Sequence, residues 1–527
     1  MAEKLVLAVD LGTSGPKVAL VDCRGRVLDS DFEKTPVTLL PDGGAEQDPE
    51  GWWRAIVAAA RRVLDRCSDS RPLVAAVSCT TQWSGTVAVD RSGTPLMNAV
   101  IWMDSRGRGH LEPVIGGRLT FQGYGLARAG KWLRLTGGLP GRSGKDPTAH
   151  ILYIKHARPD VYERTHKFLE PKDYINFRLT GRFAAGPDSI ALHWVTDNRD
   201  LSEVRYDDGL LRLCGIPRKK MPDLAPVASI LGPLTPEAAG ALGLPPEVAV
   251  CIGTPDVQGA ALGSGGVRDN DAHLYIGTSS WLTCHVGYKK TDVLRNMASL
   301  PSAIPGRYFV ANEQECAGAC LNFLVDNLVF PDDLLRGTPP EGNPYELLME
   351  AAANVPPGSD GLIFTPWLYG ERTPVEDATV RGGFHNVTLE TTRSHMVRSV
   401  LEGVAFNSRW LLEAVERFVK QPLPAVRMIG GGARSTLWCK IHADVFNRPI
   451  LQVRDPIHAG VRGAAFLAAA ALGKLRFEDI PDLVEVEHRH EPDPANRAMY
   501  DGLYAEFKTI YKKTRGIYAR LNGGAAH

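Results

Sequence analysis

Residues 5–22, LVLAVDLGTSGPKVALVD, decide the fold of this chain. LVLAVD is apolar enough for a buried strand, GTSG is a turn and PKVALVD alternates as a second strand, so the segment predicts a β-hairpin. Asp10 ends the first strand, where a buried carboxylate is costly unless it meets a cation or hydrogen-bond donors. The hairpin is therefore either a turn that grips phosphate, with Asp10 at Mg²⁺ and Lys17 near the phosphates, or an ordinary turn with a capping aspartate.

Strands and helices alternate beyond this hairpin. A helix is predicted from about Pro49, because Trp52, Ile56 and Ala60 keep helical spacing, and LVAAVSCTTQ is a further buried strand. HLYIGTSSWLTCHVG (273–287) repeats the opening plan of apolar strand, Gly-Thr-Ser turn and apolar strand. Because the copies lie about half a chain apart, we expect an α/β protein with two domains built on one plan and a boundary near residue 270.

Other segments connect or extend this plan. Residues 217–240, PRKKMPDLAPVASILGPLTPEAAG, are rich in proline and predict a surface excursion between the two repeats. MIGGGARSTLW (428–438) joins an apolar strand to a helix through a third glycine-rich turn, and such turns present backbone N–H groups that can hold phosphates. GAAFLAAAALG (463–473) is too short to span a bilayer and predicts a buried helix.

Composition narrows the classes of function. A chain of 527 residues is too long for one hydrophobic core. Sixty basic residues balance sixty acidic ones, so no overall charge attracts nucleic acid or an anionic membrane, and a small molecule in a cleft is the favoured partner. The N-terminus lacks the apolar stretch of a secretion signal, no run is long enough for a membrane span, and nine scattered cysteines fit reduced thiols in the cytoplasm.

Asp256 is the second candidate for chemistry. It follows Pro255 directly after the strand VAVCIG and precedes a helix of small residues, so its carboxylate is aimed from a helix N-terminus into the cleft beyond the sheet edge. An aspartate that caps the helix is the simpler interpretation of the same position. The sequence contains neither a GxxxxGK[ST] phosphate loop nor a GxGxxG motif after a strand, which argues against P-loop enzymes and NAD-dependent oxidoreductases.

These motifs, in this order, resemble the FGGY family of carbohydrate kinases. The resemblance runs from DLGTSGPK at residue 10 to GGGARSTLWCKIHADVFNRPI at residue 430. The intermediate segments that look like the xylulokinase branch are EQDPEGWW, IWMDSR, EPKDYINFRLTG and YGERTP. The resemblance implies ATP-dependent phosphorylation of a terminal hydroxyl, with ATP and Mg²⁺ as cofactors, a small sugar or polyol as substrate, and a homodimer as in many similar kinases.

The same resemblance implies two actin-like, ribonuclease-H-like ATPase domains around a central cleft. Residues 1–270 would bind the sugar and supply the base, residues 271–480 would bind the nucleotide, and residues 481–527 would form a helical extension. Asp10 would hold Mg²⁺, and Asp256 would be the catalytic base that accepts the proton of the acceptor hydroxyl. The residues placed at ATP are Thr13, Ser14, Lys17, Gly277, Thr278, Ser279, Gly318, Asn322, Gly431, Gly432 and Thr436.

The acceptor pocket departs from the xylulokinase pattern. That branch usually has Gln-Met-His-Gly where this chain has Gln-Trp-Ser-Gly (82–85), and tends to have asparagine at the position of Val257. Trp83 offers a flat apolar face in place of a polar side chain, and Asp104 and Arg106 are candidates either for replacement polar contacts or for a surface salt bridge. The predicted acceptor-binding residues are Gln82, Trp83, Ser84, Asp104, Asp256 and Val257.

The identity of the acceptor stays open at this stage. D-Xylulose is the leading acceptor, and ribulose, erythritol or another polyol are the alternatives within catalysis. A non-catalytic actin-like ATP-binding module is the alternative of a different class. Asp10 and Asp256 argue against that module, because a protein that only binds ATP needs no base.

Overall fold

A computed structural model describes residues 4–334 and 342–523. The first half of the chain holds a seven-stranded sheet, in which the predicted hairpin pairs Asp10 with Lys17. The strands of this sheet are β1 (Leu5–Gly12), β2 (Gly15–Asp22), β3 (Val27–Phe32), β4 (Val74–Thr81), β5 (Ile230–Pro233), β6 (Ala249–Cys251) and β7 (Thr254–Pro255). Their order in space is β5-β6-β4-β1-β2-β3, and β7 pairs with the end of β4.

The second half of the chain repeats this arrangement in a five-stranded sheet. Its strands are β8 (Ala272–Ile276), β9 (Ser280–Thr283), β10 (Val426–Ile429), β11 (Ile450–Val453) and β12 (Val486–His490), in the spatial order β9-β8-β10-β11-β12. In both sheets, the antiparallel hairpin is followed by two parallel neighbours and then by an antiparallel edge strand. The shared order confirms the prediction of an α/β protein with two domains built on one plan.

Helices cover both sheets. The helices that bear on the site are α1 (Pro49–Arg66), α2 (Asp256–Ser264), α3 (Gly318–Leu324), α4 (Arg393–Val419), α5 (Thr436–Phe446), α6 (Ala459–Ala471) and α7 (Arg497–Asn522). α1 begins where it was predicted, because the Asp48 side chain accepts a hydrogen bond from the Glu50 N–H and Pro49 suits the first helical position. The other helices include Arg108–Ile115, Leu126–Leu135, Pro147–Ala157, Pro159–Arg164, Pro171–Thr180, Asp208–Cys214, Pro236–Leu242, Pro344–Ala353 and Ile480–Leu483.

The helices α2 and α6 cross at a contact lined by glycine. A Cβ atom on Gly263 would lie 1.8 Å from the carbonyl oxygen of Ala459, and one on Gly463 would lie 1.8 Å from that of Gly259. Only glycine leaves room for such a close approach of two backbones. The crossing therefore packs the helix that begins at Asp256 directly against the alanine-rich helix of the second half, which is buried as predicted.

Two segments differ from the prediction. Residues 230–233, inside the predicted surface excursion, form β5, which pairs with β6 at the edge of the first sheet. The extension predicted to be helical from residue 481 contains β12, which pairs with β11 before α7 begins. The sequence VEHRH did not indicate this strand, because its side chains are mostly exposed and charged. Residues 524–527 of that extension lie outside the described residues. Within the described ranges, no helix has both the length and the apolar character needed to cross a membrane.

Candidate active site

The strands β1 and β2 carry a charged pair close to the turn that joins them. The Thr80 hydroxyl donates a hydrogen bond to Asp10 Oδ1 at 3.0 Å, and Lys17, opposite Asp10 in the hairpin, donates to the Ile457 carbonyl. A Cβ atom at Gly460 would lie 2.1 Å from Asp10 Oδ2, so the backbone of α6 packs directly on this carboxylate. Burial raises the pKa of Asp10, although the positive charge of Lys17 acts to lower it. Burial lowers the pKa of Lys17, although the negative charge of Asp10 acts to raise it.

Asp256 is the first residue of α2, and its carboxylate does not cap the helix. Pro255 occupies the capping position, while Asp256 Oδ1 accepts a hydrogen bond from the adjacent Val257 N–H at 2.8 Å. Burial raises the pKa of Asp256 well above its ordinary value, and the negative charges of Asp10 and Glu313 add to this effect. The simple capping interpretation is therefore wrong, and Asp10 and Asp256 lie close enough for their charges to interact.

A loop of hydrogen bonds ties the first turn to one wall of the cleft. The Trp102 indole N–H donates to Thr13 Oγ1 at 2.9 Å, and the Thr13 hydroxyl donates to Gln82 Oε1 at 3.3 Å. The Gln82 amide donates to Gln47 Oε1 at 2.7 Å, and the Gln47 amide donates to the Thr13 carbonyl at 2.9 Å. Gln82 is thus brought to the turn as predicted, together with the partly exposed ring of Trp102, which was missed although IWMDSR contains it.

The side chains that follow Gln82 are held by the protein itself. The Trp83 indole N–H donates to the Ser189 carbonyl at 2.9 Å, and the Ser84 hydroxyl donates to the Lys145 carbonyl at 2.8 Å. Ser84 has a φ of 62°, which turns the chain sharply at this point. Val257 packs against the apolar cluster between α2 and α6. The polar groups of Trp83 and Ser84 are therefore already paired, and Val257 makes apolar contacts.

Asp104, unlike the other predicted acceptor-binding residues, is held in a salt bridge. Its carboxylate receives the Arg106 guanidinium at 2.6 and 2.9 Å and the Ala45 backbone N–H at 2.9 Å. The side chain is fully buried, and Arg106 also binds Glu46 at 2.7 Å. The pair is therefore a salt bridge, as one alternative expected, but it is buried rather than at the surface.

The second Gly-Thr-Ser turn joins β8 to β9 and receives the start of α3. The Gly318 N–H donates to the Gly277 carbonyl at 2.7 Å, and the Ala317 N–H donates to the Thr278 carbonyl at 2.9 Å. A Cβ atom at residue 318 would lie 2.5 Å from the Gly277 oxygen, so this contact requires glycine. Asn322 lies on the same helix, where its Oδ1 accepts a hydrogen bond from the Tyr345 hydroxyl at 2.7 Å.

The third glycine-rich turn lies beside the second. It leads from β10 into α5, and a Cβ atom on Gly430 would lie 2.6 Å from the carbonyl oxygen of Ile276, the residue before Gly277. Gly431 has no neighbouring atom within 4 Å of a Cβ position, so its backbone is open to a ligand. Thr436 begins α5, whose N-terminus is capped by the Ser435 hydroxyl. The structure thus brings both predicted nucleotide turns to the same end of the second sheet.

Comparison with known proteins identifies the family. Sequence profiles of the N-terminal and C-terminal domains of the FGGY family of carbohydrate kinases match residues 5–263 and 272–472. The chain belongs to the FGGY family of carbohydrate kinases. This FGGY kinase is 29% identical to the xylulose kinase of Staphylococcus epidermidis over 99% of each chain. It is 24% identical to the gluconokinase of Bacillus subtilis over 98% of this chain and 97% of that one.

The fold of this FGGY kinase matches solved structures of carbohydrate kinases. The gluconate kinase from Lactobacillus acidophilus superposes with a TM-score of 0.84 at 24% identity, over 99% of this chain and 100% of that chain. The prediction of a two-domain FGGY fold and of a xylulokinase-like sugar kinase is therefore confirmed. Members of the family use ATP as co-substrate.

One charged cluster of this FGGY kinase was missed by the sequence analysis. Arg372 donates to Glu315 Oε1 from two nitrogens at 2.8 and 3.0 Å and also pairs with Glu313, while Lys145 Nζ lies 3.7 Å from Glu315 Oε1. Burial raises the pKa of Glu313, whereas Arg372 and Lys145 outweigh burial at Glu315 and lower its pKa. YGERTP contains Arg372, but no spacing rule links it to residues 145, 313 and 315, which meet only after folding.

Proposed function

We propose that this kinase transfers the γ-phosphoryl group of ATP to a terminal hydroxyl of a small sugar or polyol, with a ketopentose such as D-xylulose as the leading acceptor. Asp256 is the general base of this proposal. The observation that carries it is the Asp256 carboxylate, which begins α2, accepts only a backbone hydrogen bond among the described residues, and has its pKa raised by burial and by Asp10. Residues 1–270 would bind the acceptor, residues 271–480 the nucleotide, and residues 481–527 form the extension.

The chemistry of Asp256 follows from its surroundings. A sugar hydroxyl is a poor nucleophile, so a carboxylate within hydrogen-bond reach takes its proton as the bond to phosphorus forms. A general base contributes about 10²–10⁴-fold to such a step, and it is more effective when its pKa lies closer to the working pH. The raised pKa of Asp256, caused by burial and by the charge of Asp10, acts in that direction.

Asp10 fits a divalent cation. Its carboxylate is buried beside a second carboxylate, and Mg²⁺ in phosphoryl-transfer sites takes one or two carboxylates and completes its shell with phosphate oxygens and water. The described residues contain no cluster of three or more His, Cys, Asp or Glu side chains suited to a metal. Bound Mg²⁺ would neutralise charge on the phosphates. Asp10 would hold it, and Lys17 would supply a second positive charge at the same turn.

The three glycine-rich turns supply the remaining contacts to ATP in this proposal. Backbone N–H groups at Thr13 and Ser14 and the Ser14 hydroxyl would face the phosphates from the first domain, while the Thr13 hydroxyl is held by Gln82 and Trp102. Gly277, Thr278 and Ser279 would face the phosphates from the second domain. The open backbone at Gly431 suits the adenosine half of the nucleotide. Such fixed donors stabilise the charge of the transferring phosphoryl group without reorganising during the reaction.

A neutral acceptor suits the charges near Asp256 better than an aldonate. Both cations of the adjacent cluster, Lys145 and Arg372, are already paired with Glu315 and Glu313, and Glu313 lies near enough to raise the pKa of Asp256. A carboxylate on the acceptor would add a further negative charge and would find no unpaired cation in this cluster. The xylulose kinase relatives support the same choice, whereas the gluconokinase relatives make gluconate the necessary comparison.

The experiment is a screen for acceptor-dependent release of ADP. Mg-ATP is supplied with D-xylulose, other pentuloses, hexuloses, tetritols, pentitols, glycerol and gluconate, and ADP is measured by a coupled assay. We expect a ketopentose or polyol to give the highest kcat/KM and gluconate to give the lowest. Gluconate as the best acceptor would overturn the neutral acceptor, and no phosphorylation above the background ATPase would overturn the proposed reaction.

A further inference from the structure

A continuous set of polar contacts joins the two domains near Asp256. On the first-domain side, the Ser84 hydroxyl holds the Lys145 carbonyl at 2.8 Å, and the Lys145 ammonium group lies 3.7 Å from Glu315 Oε1. On the second-domain side, Arg372 binds Glu315 and Glu313. Ser279 donates a hydrogen bond to Glu313, which acts to lower the pKa of Glu313 while burial raises it. The set therefore links the wall of the proposed acceptor pocket to the second Gly-Thr-Ser turn.

The second-domain end of this set is held rigidly. The Glu371 carboxylate accepts the backbone N–H of Arg372 at 2.8 Å and that of Glu315 at 3.3 Å, and it is bound in turn by the Asn407 amide of α4 at 2.5 Å. Burial raises the pKa of Glu371 to about 8, which reflects how far this carboxyl lies from solvent. Glu315 and Arg372 are thus fixed to the core of their own domain.

The first-domain end is equally well anchored. Lys145 precedes Asp146, whose Oδ2 accepts hydrogen bonds from the Trp194 indole at 2.7 Å and from the Gly141 N–H at 2.5 Å. The two anchored ends are joined by the Lys145–Glu315 pair and by the Lys145 ammonium group, which lies 5.6 Å from the ring centre of Tyr369. The Arg372 guanidinium adds a weaker contact, 5.9 Å from the ring of Trp102.

We propose that Lys145 is a positioning residue for phosphoryl transfer, whose ammonium group latches the cleft closed over Asp256 by binding Glu315 and the face of Tyr369. This inference rests on the proposed function, because closure matters only if a phosphoryl group is transferred in the cleft. Closure excludes water and brings the two substrates into line. Loss of the latch would therefore lower transfer more than ATP binding.

The test uses Lys145→Met, Glu315→Gln, the double variant and Lys145→Arg in the full-length protein. We expect Lys145→Met to lower kcat about tenfold, with KM for ATP within about twofold of the wild-type value, and the double variant to lose no more than the single variants, because they break one interaction. Lys145→Arg should recover most of the activity. The control is Arg476→Gln, which removes the exposed Arg476–Asp479 pair within the second domain and should leave kcat unchanged.

Two outcomes would overturn the latch. If Lys145→Met raised KM for the acceptor while Glu315→Gln left kcat and KM unchanged, Lys145 would bind the acceptor directly. The second measurement is the radius of gyration by small-angle scattering of the protein without substrates, which we expect to be larger for Lys145→Met and for Glu315→Gln than for the wild type and for Arg476→Gln. Equal radii would overturn the latch even if no acceptor were found, so its failure can be told apart from that of the proposed reaction.

Discussion

The two Gly-Thr-Ser turns occupy equivalent places in the two sheets, yet their surroundings differ. Each joins the strands of the antiparallel hairpin that begins its sheet. Thr13 of the first turn is bound by Trp102 and Gln47 and itself binds Gln82, all within the first domain. The carbonyls of Gly277 and Thr278 in the second turn instead receive the N–H groups that begin α3.

The difference teaches how one plan serves two purposes. The first turn lies between Asp10 and Lys17 and is hydrogen-bonded to Gln82, so it suits the cation, the phosphates and the acceptor. The second turn carries no acidic residue and packs against Gly318 and the third glycine-rich turn, so it suits the nucleotide. Five predictions test this difference between the ligands of the two turns.

The largest expected effect is at Asp256, which serves the acceptor side. Asp256→Asn removes the proton acceptor and should lower kcat about 10²–10⁴-fold. Binding of a non-hydrolysable ATP analogue, measured by calorimetry, should change little. The matched control is Asp208→Asn, which alters the exposed first residue of the helix Asp208–Cys214 and should leave kcat unchanged. Near-normal transfer by the Asp256 variant would remove it from the role of base.

Gly460 tests how tightly the first turn is packed. Gly460→Ala would place a Cβ atom 2.1 Å from Asp10 Oδ2, so the carboxylate or the helix must move. A displacement of about 1 Å at a catalytic group costs about 10²-fold in rate, and we expect a loss of that size in kcat. Gly240→Ala, which meets no neighbouring atom, is the control. Unchanged kcat in the Gly460 variant would show that the position of Asp10 does not matter.

The pH profile tests the charges around Asp256. Because burial and Asp10 raise its pKa, the residue becomes protonated, and so inactive as a base, at a higher pH than an ordinary aspartate. kcat/KM should therefore fall about tenfold per pH unit on an acid limb that lies at a higher pH than an ordinary aspartate would give. Glu313→Gln removes one of the negative charges that raise this pKa, so it should move the limb to lower pH. An acid limb at the same pH in both proteins would contradict the assignment.

Gly318 tests the second turn. Gly318→Ala would place a Cβ atom 2.5 Å from the Gly277 carbonyl oxygen and would push α3 away from the turn. Overpacking of this kind costs about 1–3 kcal/mol, so we expect KM for ATP to rise about tenfold while KM for the acceptor stays close to its original value. Gly502→Ala in α7 is the control, because its Cβ position is open. A rise confined to the acceptor KM would reverse the roles of the two turns.

The smallest expected effect on KM compares Thr13 and Thr278, the threonines of the two Gly-Thr-Ser turns. Thr13→Val removes the hydrogen bonds to Trp102 and Gln82, each worth about 1 kcal/mol, and should raise KM for the acceptor about fivefold. Thr278→Val is its counterpart in the second turn and should act on KM for ATP instead. Steady-state kinetics with each substrate varied in turn separates these effects. The same change in both variants would mean that the turns do not divide the substrates between them.

Much of the fold and of the candidate site was predictable from local patterns. Alternating apolar runs around Gly-Thr-Ser predicted both hairpins, and the parallel order of the two sheets then confirmed the repeat. Asp10 and Asp256 were found because each ends or follows a buried strand, where an acidic side chain is costly unless it meets a cation or hydrogen-bond donors. The edge strands β5 and β12 were missed, because β5 lies in a proline-rich stretch and β12 consists mostly of charged, exposed side chains. Each strand also pairs with a segment well separated from it in the chain.

The sequence by itself determined the repeated α/β plan, the positions of the glycine-rich turns and the two strand-end aspartates, because those depend on the spacing of neighbouring residues. Only the tertiary structure decided that Asp104 is saturated by Arg106 and Ala45, that Asp256 does not cap its helix, and that Lys145 meets Glu315. The physical reason is that hydrogen bonding, burial and charge pairing join residues far apart in the chain. A carboxylate therefore shows its role only when its partners have been brought to it.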